Sequence, residues 1–245
     1  MKTPRAIFVA LAVALGGSPA FAGPPFVTDD PQPTDTGHYE IYAFASGTAT
    51  RDGSGGETGI DFNYGGAEDL QLTAVLPLAY DDPRNGATVA GIGNVELAVK
   101  YRFLHQSDFG WDVAVFPRLF LPSASAHAGD RRASFLLPVW AEKDWDAWSA
   151  FGGGACALNT GGGAKDYCLA GWALTRQMLP DLHIGAEIYH QTADMHGGRA
   201  TTGLGAGATW DLSDNYHLMA SWGPGIQNAA ETDRMSWYAA LQFTF

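Results

Sequence analysis

The sequence predicts an all-β fold: one antiparallel transmembrane β-barrel of about 12 strands, following a cleaved signal peptide. Three observations predict it. From Gly37 to the end, apolar and polar residues alternate in short runs split by Gly, Asp, Asn and Pro. Most runs have about 9–12 residues, the length of a tilted strand crossing a bilayer, and aromatic rings collect near their ends. Short turns alternate with longer loops along the chain, as they do in outer-membrane barrels.

The first element is the export signal. Lys2 and Arg5 precede an apolar run, "AIFVALAVAL", too short to span a bilayer as a helix. "GGSP" breaks the run, and Ala20 and Ala22 stand at the positions a signal peptidase reads, so cleavage is expected before Gly23. Removing residues 1–22 leaves 12 basic against 26 acidic residues, a formal charge of −14. That surface disfavours nucleic acid and other polyanions. No later stretch offers about 18 unbroken apolar residues, so no helical span is expected. The 31 glycines and 12% aromatic residues suit many turns and exposed rings better than a compact helical enzyme.

Residues 23–36 follow, rich in Pro and Asp. Proline excludes helix and discourages sheet pairing there. The segment reads as a periplasmic tether, with a segment folded into the lumen as the alternative. The barrel proper covers 37–245, with strands expected at 37–49, 56–64, 69–80, 91–104, 110–121, 134–142, 146–157, 166–176, 181–191, 200–210, 215–223 and 236–245. The fourth is the clearest: Val95, Leu97, Val99, Tyr101 and Phe103 alternate with Asn94, Glu96, Ala98, Lys100 and Arg102. Cys156 and Cys168 flank what reads as a hairpin tip on the outer face, and in an exported protein they are expected to form a disulfide.

The last strand ends "SWYAALQFTF", with rings at alternate positions up to Phe245. It suits a strand that closes the barrel and stops at the lipid interface. It also resembles the C-terminal signal by which outer-membrane barrels reach their assembly machinery. Upstream, "PPFVTDDPQPTDTGHYEIY" resembles the start of a family of bacterial outer-membrane proteins, the putative MetA-pathway of phenol degradation family. The residues that carry the likeness are Pro25, Phe26, Thr28, Asp29, Asp30, Pro31, Thr34, Gly37 and Glu40, with the closing strand. The resemblance implies an exported barrel that passes small, aromatic or hydrophobic molecules.

Charges face lipid only at high cost. The alternation therefore turns Glu40, Asp61, Glu96, Lys100, Arg102, Asp112, Arg118, Arg176, Glu187, Tyr189, Gln191 and Gln242 inward, with Phe116, Phe120 and Trp172. Of these, Glu96, Lys100, Arg102, Asp112, Phe116, Arg118, Trp172, Arg176, Glu187 and Tyr189 are the candidate lumen-lining, selectivity-setting residues. They either pair into a solid polar core or line a narrow path. His190, Asp194 and His196 lack further ligands for a metal, and His217 and Ser221 lie too far apart along a strand for a direct hydrogen bond. No catalytic residue, metal or cofactor is expected. The sequence thus points to a passive channel for small solutes in the outer membrane. The alternatives are a closed barrel acting through its outer loops and, weaker, an outer-membrane hydrolase.

Overall fold

A computed structural model describes residues 25–125, 132–159 and 164–245. The signal-peptide reading and the tips of two connections lie outside them. The alternating runs form strands that pair antiparallel in chain order: β1 (Tyr39–Ala49), β2 (Gly53–Ala67) and β3 (Leu70–Pro83) come first. The next two staves are each made of two pieces. Both β4 (Val89–Ile92) and β5 (Glu96–Leu104) pair with β3. After a one-turn helix, α1 (Gln106–Phe109), come β6 (Asp112–Val115) and β7 (Arg118–Phe120), which both pair with β5.

Proline explains the interruptions, because it has no N–H to give a ladder. Pro117 separates β6 from β7, and Pro77 of β3 faces the gap between β4 and β5. The proline carbonyls remain satisfied: Gly93 N–H donates to Pro77 O at 2.9 Å and Val99 N–H to Pro117 O at 3.1 Å. The wall stays hydrogen-bonded across both interruptions.

Then follow β8 (Ser134–Trp145), β9 (Trp148–Asn159), β10 (Tyr167–Leu179), β11 (Leu182–Gln191), β12 (Thr201–Ser213) and β13 (Tyr216–Gly223). A short β14 (Gly225–Gln227) folds back on β12 before the last strand, β15 (Met235–Thr244). With the two broken staves counted once each, the structure is a closed antiparallel barrel of twelve staves. β15 pairs with β13 and with β1, and Tyr39 and Phe245 exchange backbone hydrogen bonds of 2.7 and 3.1 Å. Closing β15 on β1 removes the long edges an open sheet would show, as a strand structure needs in lipid, and among the described strands the short β4 and β14 are paired on one side.

The two ends of the barrel differ as expected, except at the first hairpin. There β1 and β2 run on until only residues 50–52 join them. On the short-turn side Asp69 and Asp146 take φ of 61° and 51°, and Gly110 ends α1 at φ 77°. Rings gather at this end: Tyr39 stacks on Tyr64 at 4.8 Å and stands 6.3 Å from Phe245, and Tyr216 meets Phe243 edge-on at 5.5 Å. The outer face carries Leu72, Leu76, Leu78, Leu97, Val99, Ile184 and Ile188, all exposed to the lipid side. Cys156 and Cys168 sit directly opposite each other on β9 and β10, Cα atoms 4.1 Å apart, and are disulfide-bonded. Cys156 faces outward in the row of Leu158 and opposite Leu137.

Two expectations are corrected here. Trp172 and Arg176 stand on the outward row of β10, with Leu174 between them, and not in the lumen. Trp172 covers Gly152 on the next strand and meets Trp111 edge-on at 6.2 Å. Arg176 lies near the short-turn end, its guanidinium 5.0 Å from the Trp148 ring. A long cationic side chain at that depth reaches the interface along a ring, so its charge need not turn inward.

The other correction concerns the segment before β1. It is not a tether hanging below the barrel. From Asp35 back to Pro25 it climbs into the lumen, where Thr28, Asp30 and Thr34 are buried.

Candidate functional site

The site is the lumen together with the segment inside it. Proline at 25, 31 and 33 keeps that segment extended and unable to form helix or sheet, so side chains of the wall must satisfy its backbone. Glu187 of β11 accepts the N–H of Val27 and of Thr28, one on each carboxylate oxygen, both at 3.0 Å. Gln71 of β3 accepts the Thr34 N–H at 2.8 Å and its hydroxyl at 3.1 Å. Ser221 of β13 donates to the Pro25 carbonyl.

Charge holds the middle. Lys100 of β5 lies 3.2 Å from Asp29, 3.5 Å from Asp30 and 3.3 Å from the Gln32 carbonyl. The Gln32 side chain donates to Asp112 at 3.1 Å and Glu142 at 2.6 Å, and accepts from Arg102. Arg102 also reaches Asp69 at 2.8 Å. Arg118 forms a bidentate pair with Glu96, at 2.6 and 2.9 Å. Phe116 lies between two of these cations, 4.9 Å from Lys100 Nζ and 5.3 Å from the Arg118 guanidinium. Each lumen cation is thus committed to carboxylates, to the segment, or to both.

Small residues on β10–β12 make the room. A Cβ on Gly207 would come 2.9 Å from the Phe26 ring, and one on Gly171 would run into Thr28. Phe26 then packs on Phe151 of β9, ring centroids 6.3 Å apart. The chain from Pro25 inward leaves a chamber on each side. The one toward the long loops has a volume of about 600 Å³, and the one toward the short turns about 520 Å³. Pro25 and Phe26 are the residues that line both.

Glu96, Lys100, Asp112, Phe116, Glu187 and Tyr189 are buried on the lumen side, and Arg102 and Arg118 are half-buried there. The quoted N-terminal motif has structural roles. Asp29 and Asp30 meet Lys100, Pro31 is fully buried, and Thr34 binds Gln71. Gly37 turns the chain into β1 at φ 80°, where its N–H reaches Gly65 O at 2.7 Å. Glu40 accepts from the Tyr42 hydroxyl at 3.2 Å.

Sequence reasoning missed Phe26, Gln32, Gln71, Glu142 and Phe151 as partners across the lumen. The alternation did signal Gln71 and Glu142, both polar on inward rows. Nothing local signalled that Gln32 would join Asp112 to Glu142. His217 is hydrogen-bonded to Asp211 at 2.6 Å, and the Ser221 hydroxyl is engaged by the Pro25 carbonyl and not by His217. Among the described residues no three His, Cys, Asp or Glu side chains gather to hold a metal.

A closed twelve-stave barrel with a lipid-facing apolar belt, a charged interior and an inserted N-terminal segment defines a bacterial outer-membrane β-barrel protein. A family model described as Putative MetA-pathway of phenol degradation matches residues 21–242, and the chain belongs to that family. Among solved structures, the COG4313 outer membrane channel from Pseudomonas putida F1 superposes with a TM-score of 0.72 at 13% identity, covering 88% of this chain and 98% of that one. The NanC porin gives 0.58 at 9% identity, covering 84% and 98%. The KdgM porin, solved in complex with disordered oligogalacturonate, gives 0.56 at 11%, covering 85% and 99%. At these identities the likeness is one of fold. No curated protein matches the chain.

Proposed function

We propose that this protein is a channel through which small solutes cross the outer membrane by passive diffusion. The observation that carries the reading is the pair of chambers, about 600 and 520 Å³, stacked along the lumen and sharing Pro25 and Phe26 as their common wall. A lumen packed as a solid polar core would leave no such spaces. Glu96, Lys100, Arg102, Asp112, Phe116, Arg118, Glu187 and Tyr189 then set the conditions of passage, some directly and some by fixing the inserted segment. The aromatic or hydrophobic solutes implied by the family would meet Phe26, Phe44 and Tyr238 on the way. Phe245, at the end of the closing strand, is the residue the assembly machinery would read.

A closed barrel is the second reading. It is favoured by the depth of the segment and by its contacts with at least five wall strands. Single-channel conductance in a planar bilayer separates the two. The channel reading expects steady steps from the folded protein and larger steps from Phe26→Ala, which thins the wall between the chambers. Silence from both, and from a variant lacking residues 25–33, would establish the closed barrel.

A further inference from the structure

We infer that this lumen favours cations among the small solutes it passes, and that Glu57 and Asp61 are specificity-determining residues of the outer chamber. The inference rests on the channel reading and adds the class of solute.

The outer chamber is lined by Glu57, Asp61, Glu96 and Glu187 against one cation, Arg118. Arg118 is held bidentate by Glu96, so that pair carries little net field. Glu187 is occupied by two amides of the inserted segment, which satisfy its oxygens without cancelling its charge. Glu57 and Asp61 form no ion pair among the described residues and face the chamber. On the far side of Phe26, Glu142, Asp144 and Asp146 line the second chamber, whose wall holds no Lys or Arg among the described residues. Lys100 and Arg102, the other lumen cations, are drawn to Asp29, Asp30 and Asp69. Among the described residues, the walls of both chambers therefore present carboxylates outside any ion pair, and neither wall presents a Lys or Arg outside one.

Low-dielectric walls concentrate such a field along the axis, and rings of carboxylates favour cations over anions. Aromatic faces adjoin the carboxylates. Glu57 lies in register with Ser46 and, beyond it, Tyr238, which stacks with Phe44 at 6.4 Å. Ring faces beside carboxylates suit an organic ammonium ion as well as a metal cation.

The test is the reversal potential of the folded, full-length protein in a bilayer under a potassium chloride gradient, repeated with tetramethylammonium chloride. The expected result is a reversal potential on the cation side in both salts. In Glu57→Gln/Asp61→Asn the cation preference should fall several-fold while the steps persist. Steps that reverse at zero or on the chloride side overturn this inference and leave the channel reading standing. An unchanged preference in the double variant overturns the assignment to Glu57 and Asp61. Silence from the folded parent, from Phe26→Ala and from the variant lacking residues 25–33 overturns the channel reading, and this inference with it.

Discussion

Lys100 Nζ lies 3.2 Å from Asp29 Oδ1, joining the barrel wall to the chain's own N-terminal segment across 71 positions of sequence. The side chain of Lys100 is 4% exposed, so the ammonium has little access to water. Asp30 and the Gln32 carbonyl complete its surroundings. Removing one member of such a buried group leaves the others charged and unpaired, which costs about 3–5 kcal/mol. Lys100→Met is therefore expected to loosen the segment while β5 keeps its place. Limited proteolysis at the short-turn end should cut the N-terminal segment faster, and single-channel steps should grow. Restoring neutrality with Asp29→Asn and Asp30→Asn in the same chain should recover much of the protection. A Lys100→Met barrel as resistant to protease as its parent would show that the hydrogen bonds to Glu187 and Gln71 suffice without the ion pairs.

The disulfide makes a different prediction. Cys156 and Cys168 cap a hairpin whose strands are already in register over ten residue pairs. The bridge closes a short loop, and the entropic stabilisation for such a loop is about 3 kcal/mol at most. Cys156→Ser/Cys168→Ser should fold and close as a barrel, with a lower temperature for the loss of its compact form on unheated gels. Loss of the compact form at room temperature would mean that the bridge is needed to align β9 with β10.

The strands carrying charge on one side, such as β5, were legible because lipid and lumen sort their residues unambiguously: Glu96, Lys100 and Arg102 had one place to go. In β10 the same rule misplaces residues for a physical reason. Its inward row is Gly171, Ala173 and Thr175, small so that the inserted segment fits, and its outward row is Trp172, Leu174 and Arg176. Neither row looks polar, and the single charge, at the interface, points the wrong way. The inserted segment was half-legible. Its prolines excluded helix and sheet, but its place depends on Glu187, Gln71, Lys100 and Glu142, which come from four strands far apart in sequence. Only the closed barrel brings those side chains together.

Trp172 gives a test of that corrected face. It lies near the middle of β10 on the lipid side, and a cation there costs about 2–4 kcal/mol at the bilayer midplane. Trp172→Arg should reduce the yield of folded barrel in vesicles and lower its resistance to urea. The same substitution on the lumen side would be far less costly. Normal insertion of Trp172→Arg would mean that this part of β10 is not in contact with lipid.

Two arginines that look alike in the sequence should behave oppositely. Arg118 is inside, bidentate to Glu96, and Arg176 is outside, stacked on Trp148. Arg118→Ser removes the one cation lining the outer chamber and leaves the Glu96 carboxylate uncompensated, so the lumen becomes more negative. Cation preference should then rise, in the direction opposite to Glu57→Gln/Asp61→Asn. Arg176→Ser removes a cation–ring contact worth about 0.5–1 kcal/mol at an exposed site and changes no lumen charge. Its reversal potential should equal that of the parent, with at most a small loss of stability. Measured side by side, the pair distinguishes charge that acts through the lumen from charge that merely belongs to the protein. A shift in both would place Arg176 within reach of the conduit, and a shift in neither would mean that ions do not pass Arg118.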